Sequence, residues 1–271
     1  MAPSNFHPLP TPDLAARLVA AERQCMTDWL QALSDLPGNP FGIAIQRFGQ
    51  ATALVCRAIP AQVYNRVFGL TVEDREQIPA IVEFYAQHGA SPVFDLNPYS
   101  IPPYWVEPNV FPPLVRSGFY QGAFHQLLYR IPTSERAPMP PQLTIRSVEP
   151  RDADTFAQVY DEVWGGSAAV RVLIEHPRFR CYLAYVDGIP AGLGILHMAH
   201  AVGSMANGLT VPSLRGRGCQ TALLEQRIAD AAQAGCDLLA SQCMPGSTSQ
   251  NNQLRVGFQI AGSKAWWVRS P

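Results

Sequence analysis

The stretch that decides the fold is Leu209-Thr-Val-Pro-Ser-Leu-Arg-Gly-Arg-Gly-Cys-Gln-Thr-Ala-Leu-Leu224. It opens with strand-forming residues, passes through a loop rich in glycine and arginine, and enters the predicted helix Thr221–Ala234. Glycines let the backbone turn its N–H groups towards a ligand, and the N-terminus of a helix attracts anions. Because two arginines flank these amides, the pattern predicts an anion site suited to a pyrophosphate.

Two other phosphate-binding loops do not match this stretch. A P-loop requires GxxxxGK[ST], and the sequence contains no Gly-Lys pair. A dinucleotide fingerprint requires GxGxxG, of which Gly216 and Gly218 supply only the first two glycines. An ordinary surface turn stays open as the alternative for a loop of this kind.

The sequence repeats itself at an offset of 139 residues. Gly69-Leu-Thr-Val72 recurs as Gly208-Leu-Thr-Val211, and Gly118-Phe119 recurs as Gly257-Phe258. Three single residues keep the same offset: Asp13 with Asp152, Gly49 with Gly188, and Arg130 with Arg269. Five matches in one register indicate an internal duplication.

The two halves are predicted to differ in function. Residues 1–130 form the first domain, the proline-rich segment 131–142 is a linker, and residues 143–271 form the second domain. In the first half the stretch Glu73–Gln77 replaces the glycine loop with three acidic residues, which would repel a phosphate. The extra segment Pro98–Pro113 is an acceptor-site lid, an interaction surface or a cover for the first sheet.

The second half alternates strands and helices. Helical spacing runs from Asp152 through Val163, and two strands flank the turn Asp187-Gly188. Gly208–Val211 is predicted to be a short strand before the glycine loop. Further predicted elements are the strands Asp237–Gln242 and Ala265–Val268 and the helix Ser249–Val256.

Composition excludes several classes of protein. Hydrophobic residues make up 47% of the 271-residue chain and charged residues 15%, which favours a packed core. The net charge of −1 is unlike that of a dedicated nucleic-acid binder. Six cysteines without a CxxC pair predict reduced thiols and no metal site, and no leader or membrane span is expected. We therefore expect a cytoplasmic protein that binds neither nucleic acid nor membrane.

The stretch Leu209–Leu224 resembles the acyl-CoA motif of the GNAT superfamily of N-acetyltransferases, [Q/R]-x-x-G-x-[G/A] after a strand. Arg215 and Gly218 match that motif, whereas Gln220 departs from its final Gly/Ala. Pro245–Asn252 followed by Arg255-Val-Gly-Phe258 is similar to the closing helix and "GF" strand of the superfamily. The resemblance covers roughly residues 143–269 and implies an α/β fold with a mixed sheet, in tandem, with a degenerate first copy.

The resemblance also implies a set of cofactor contacts for acetyl-CoA or another acyl-CoA, and no metal. The strand backbone would hold the pantetheine arm, the loop amides the pyrophosphate, and the closing helix the far wall of the channel. The residues concerned are Leu209, Thr210, Val211, Arg215, Gly216, Arg217, Gly218, Cys219, Gln220, Thr221, Ser249 and Asn252. Cys219 is alternatively a packing residue at the start of the helix.

The catalytic residues are harder to assign. Many members of the superfamily place a tyrosine acid four residues before the "GF" glycine, where this chain has Gln253. His200 and Glu162 are the candidate bases that would deprotonate the acceptor, although each fits a solvated surface residue as well. The implied function is transfer of an acetyl group from acetyl-CoA to a primary amine of a small molecule or peptide. The alternatives are acyl-CoA binding without catalysis, and an interaction protein without CoA. The oligomeric state stays open.

Overall fold

The structure is a computed structural model that describes residues 9–97, 99, 101–103 and 105–269. Part of the segment Pro98–Pro113, including Tyr104, therefore lies outside the described residues. Contacts divide the chain into two units. One comprises Leu128–Ile260, and the other comprises Pro10–Leu127 together with the C-terminal residues from Ala261 onwards.

The first-half unit is a mixed sheet flanked by helices. Its sheet has the order β1-β2-β3-β4-β11-β5, in which β3 and β4 are parallel and β4 and β11 antiparallel. Its helices and strands are α1 (Pro12–Ser34), β1 (Ile43–Phe48), β2 (Ala51–Cys56), β3 (Arg66–Phe68), α2 (Ile78–Gln87), β4 (Val93–Leu96), α3 (Phe111–Arg116), β5 (Phe119–Arg130) and β11 (Gln259–Arg269). Buried apolar side chains of β2, α2 and β4 form its core.

The second-half unit repeats this plan. Its strands have the order β10-β9-β8-β7-β6, with β9 and β10 parallel and the other neighbours antiparallel. Its elements are β6 (Leu143–Ser147), α4 (Ala153–Asp161), α5 (Ala168–Arg171), β7 (Phe179–Val186), β8 (Ile189–Ala199), β9 (Val202–Thr210), α6 (Cys219–Gln233), β10 (Leu238–Cys243) and α7 (Thr248–Arg255). The apolar face of α6 packs on β7–β9 and includes Leu223 and Ile228.

The repeat found in the sequence is a repeat of structure. Gly49 and Gly188 both lie in the turn of an antiparallel pair, β1–β2 and β7–β8. In each half, the Gly-Leu-Thr-Val stretch leads from a strand through a 3-10 turn into a helix, α2 or α6. Phe119 of the first Gly-Phe pair is the first residue of β5, and the second pair, Gly257-Phe258, directly precedes β11. The last residues of these two strands are Arg130 and Arg269. The predicted tandem α/β fold with a mixed sheet is confirmed.

The C-terminal strand belongs to the first-half unit. Residues Ala265–Trp267 of β11 pair with Phe94–Leu96 of β4, and Ala261 accepts a hydrogen bond from the hydroxyl of Tyr99 at 2.5 Å. Leu128, near the end of β5, packs in the core of the second-half unit. The contacts thus divide the chain differently from the predicted boundaries 1–130 and 143–271. Residues 131–142 form neither helix nor strand.

A buried group of four charges lies within the first-half unit. Lys264 of β11 donates to Asp95 of β4 at 2.7 Å and also to Glu22 of α1. Arg66 of β3 donates to both carboxylates, at 2.6 Å to Glu22 and 2.9 Å to Asp95. Burial raises the pKa of Glu22, but the charges of Lys264 and Arg66 outweigh it and lower this pKa to about 2.

Two predicted elements have different extents in the structure. The short strand predicted at Gly208–Val211 overlaps the end of the nine-residue strand β9, whose earlier residues include Gly203 and Asn207, residue types that are depleted in strands. The helix predicted to run through Val163 ends at Asp161, because Gly165 and Gly166 follow with positive φ angles of 73° and 77°. Among the described residues, no helix combines the length and the apolar character that crossing a membrane requires.

Candidate functional site

A cleft opens where two parallel strands of the second-half unit separate. The ladder between β9 and β10 pairs Val202–Ser204 with Leu238–Ala240. Both strands continue beyond this ladder, and a cleft of about 760 Å³ begins there, with residues Met205–Thr210 on one wall and Ser241 and Gln242 on the other. The edge of β9 that faces the cleft therefore offers backbone N–H and C=O groups that no strand uses.

A β-bulge in β9 accompanies this separation. Gly194 pairs with Gly208 but Leu196 pairs with Met205, so that β9 has one residue more than β8 between these pairs. Arg227 of α6 is 2% exposed and hydrogen-bonds the carbonyl groups at the bulge, at 2.9 Å to Asn207 and 3.2 Å to Ile195. It makes no ion pair with any described residue, and its burial lowers its pKa to about 10. The floor of the cleft thus contains a cation without a counterion.

The glycine loop forms one end of the cleft. Gly216 and Gly218 have φ angles of 78° and 87°, a region that glycine adopts without strain. Gly218 is the N-cap of α6, and Ala222 is the first helix residue to donate its amide to a carbonyl four residues back. The preceding amides, of Cys219–Thr221, lack such an intrahelical acceptor. Together with the exposed side chain of Arg215, they form an anion-binding end.

The helix α7 supplies polar groups to the cleft. Ser247 caps this helix by accepting the amide of Gln250 at 3.1 Å. Gln253 is 4% exposed and donates to the hydroxyl of Ser249 at 3.2 Å, and Asn252 accepts from Arg255 at 3.0 Å. The side chains that reach the cleft are therefore held by contacts within one helix.

Comparisons with solved structures reveal the same architecture. A GCN5-related N-acetyltransferase from Kribbella flavida superposes with a TM-score of 0.70 at 15% identity, covering 95% of this chain and 96% of that one. One from Sphaerobacter thermophilus has a TM-score of 0.58 at 14% identity, covering 98% and 96%. A tandem GNAT protein from the clavulanic acid biosynthesis pathway has a TM-score of 0.61 at 12% identity, covering 92% and 96%.

The chain has the tandem GNAT fold. No protein-family model matches the sequence, and no curated protein matches it. Identities of 12–15% establish a shared fold and leave the reaction and its acceptor to be inferred from the site itself.

Most of the residues predicted to contact a cofactor come together in this cleft of the GNAT fold. The cleft is lined by Leu209, Thr210, Arg215, Gly216, Gly218, Cys219, Gln220, Thr221, Ser249 and Asn252. Val211 is buried beside the cleft, and Arg217 lies 3.9 Å from Asp187 at the surface. Burial raises the pKa of the Cys219 thiol, which is consistent with packing rather than a thiolate.

The two predicted catalytic residues do not line the cleft. His200 occupies the hairpin turn between β8 and β9 with a φ of 50°, at the end of β9 opposite to Thr210, and it is exposed. Glu162 is the exposed C-cap of α4, although its neighbour Val163 reaches the cleft. The structure therefore does not bring either group to the glycine loop.

Sequence reasoning missed several residues of the cleft. Trp164 lines it, half exposed and packed edge-on against Tyr160 with 5.4 Å between ring centroids. Arg227 could have been suspected, because it lies among the apolar positions of α6 and a buried arginine needs partners. The bulge in β9 has no comparable signal in the sequence.

Proposed function

We propose that the second-half unit binds acetyl-CoA, or another acyl-CoA, and catalyses transfer of its acyl group to a primary amine of a small molecule or peptide. One observation carries this proposal: the cleft between β9 and β10 ends at the N-terminus of α6, beside two glycines with positive φ. A pyrophosphate at that end would face helix amides, and a linear amide-containing chain would extend along the unpaired edge of β9.

The residues present fit such a molecule. The amides of Cys219–Thr221 and the side chain of Arg215 would hold the pyrophosphate, and Ser249 and Asn252 would form the opposite wall. Arg215 makes no ion pair with a described residue, so its charge is available to a phosphate. The volume of about 760 Å³ is that of a typical ligand cleft. Bound there, acetyl-CoA supplies an activated thioester for direct attack by the amine.

The described residues of the first-half unit lack an equivalent of the glycine loop. Its 3-10 turn Val72–Gln77 runs directly into α2, and the side chain of Asp74 accepts the amide of Thr71 at 3.2 Å. The carboxylate of Asp74 thus occupies the place at this turn where a phosphate would otherwise bind. We propose one acyl-CoA site per chain.

A second candidate function is acyl-CoA binding without transfer. The observation that favours it is the composition of the cleft, because no Asp, Glu, His, Lys or Tyr occurs among the described residues that line it. Gln253 occupies the position where the resemblance leads us to expect a tyrosine acid.

Calorimetric titration of the whole protein with acetyl-CoA tests the binding step, and thiol release with a panel of amines tests the transfer. We expect one molecule of acetyl-CoA bound per chain and amine-dependent release of CoA thiol. Binding with no turnover for any amine would favour the second candidate. No binding would refute both.

A further inference from the structure

Within the part of the chain that the structure describes, the lining of the cleft contains no group suited to deprotonating an ammonium ion. Among the described lining residues, the side chains that titrate or carry charge are Arg215, Arg227 and Cys219, and burial raises the pKa of the Cys219 thiol. Two acids adjoin lining residues along the chain: Glu162 is exposed at the end of α4, and Glu225 of α6 is partly buried, and neither is among the described residues that line the cleft. An alkylamine is protonated at neutral pH and must lose a proton before it can attack a thioester. The described lining offers no base for that step.

The cleft also disfavours a cation by its charge. Arg227 is buried beneath the bulge, next to the strand residues Asn207 and Gly208, and all of its described acceptors are carbonyl groups. A second positive charge placed nearby would be repelled, because no carboxylate among the described lining residues offsets it. An uncharged acceptor avoids this repulsion.

The remaining lining suits an aromatic molecule with N–H donors. Trp164 presents a half-exposed ring that Tyr160 supports edge-on. Gln242 and Gln253 each have a buried side-chain oxygen that accepts no hydrogen bond from any described residue. An amide oxygen accepts a hydrogen bond from a neutral amine, and an aromatic ring packs against indole.

We propose that the acceptor is a weakly basic aromatic amine, which reaches the cleft uncharged. This inference rests on the proposed function. Its nitrogen attacks the thioester carbonyl carbon, and the carbon–sulfur bond breaks. The proton lost by nitrogen reaches the sulfur through water, so the products are an N-aryl amide and CoA thiol. No base for an ammonium ion is required.

Two isomeric acceptors test this proposal on the full-length protein. 4-Methylaniline and benzylamine have the same atoms and similar size, but at pH 7 the former is neutral and the latter is an ammonium ion. We expect kcat/KM for 4-methylaniline to exceed that for benzylamine by at least about 100-fold at pH 7. Between about pH 7 and 9 we expect a flat profile for 4-methylaniline and a rise of roughly tenfold per pH unit for benzylamine.

Two variants make the test specific. Gln242→Glu places a carboxylate in the cleft and should shift the preference towards benzylamine by roughly tenfold, whereas Gln46→Glu makes the same charge change on the exposed face of β1 and should shift nothing. Trp164→Ala should raise KM for 4-methylaniline by roughly 3- to 10-fold.

Each outcome decides one question. Faster turnover of benzylamine at pH 7, or a rate with 4-methylaniline that titrates in this range, would overturn the aromatic-amine proposal alone. Bound acetyl-CoA with turnover of neither isomer would also overturn it. Failure to bind acetyl-CoA would instead overturn the proposed function.

Discussion

Replacement of Gly218 by glutamate should abolish binding of acetyl-CoA. Gly218 is the N-cap of α6 with a φ of 87°, a conformation that costs a side-chain-bearing residue about 1–2 kcal/mol. At an effective dielectric of about 20 and roughly 6 Å, the added carboxylate repels each phosphate charge by about 3 kcal/mol. We therefore expect Kd to rise by at least about 100-fold.

Two matched variants separate charge from strain in this experiment. Gly218→Ala introduces the strain without the charge, and its Cβ would lie 3.3 Å from Leu143, so we expect a lower melting temperature and a Kd raised by less than about tenfold. Gln77→Glu makes the same charge change at the N-cap of α2 and should leave Kd unchanged. Calorimetry measures Kd, and thermal melting confirms that each variant is folded. If Gly218→Glu bound acetyl-CoA as tightly as Gln77→Glu, the assignment of the site would be wrong.

Three further predictions concern stability and catalysis. Lys264→Met should lower the free energy of unfolding by about 3 kcal/mol, because it leaves Asp95 and Glu22 with one cation instead of two. Denaturant unfolding measures this free energy, and a loss below about 1 kcal/mol would contradict the prediction. The pKa of Glu22 is lowered from 4.5 to about 2, so the ionised carboxylate stabilises the fold at pH values above 4.5, and this stabilisation is lost as the pH falls from 4.5 to about 2. A Glu22→Gln variant should lack this acid-induced decrease in melting temperature. The double variant His200→Asn with Glu162→Gln should keep kcat/KM within about twofold of the unmodified protein, because neither side chain lines the cleft. A loss above about tenfold would indicate that one of the two residues is the catalytic base after all.

The sequence predicts the fold well where a local rule determines the structure. The strand Phe179–Val186 has the predicted bounds, and the helix after the glycine loop begins two residues earlier than predicted, at Cys219. The repeat offset correctly indicates two similar halves. It cannot tell which half receives the C-terminal strand, because β5 and β11 are equivalent strands and only tertiary contacts decide where each one pairs.

The candidate site was predictable from the sequence only where its residues are contiguous or follow from the resemblance. The loop Arg215–Thr221 is contiguous, and the chemistry of its glycines and arginines can be read directly from the sequence. Ser249 and Asn252 follow from the resemblance. Trp164 and Arg227 join the cleft only through the position of α4 and the bulge of β9, which depend on packing that no local pattern encodes. The roles of all these residues towards acetyl-CoA stay predictions.

The buried charge group has a consequence for the chemistry of the whole molecule. Lys264 is the only lysine in the sequence, and its side chain is 1% exposed between two carboxylates. Folded protein therefore presents no lysine amine to an acylating reagent, including a thioester used at high concentration. Screening for acceptors would consequently be free of self-acetylation at lysine, and lysine-directed labels or surface immobilisation through lysine would not react with the native chain.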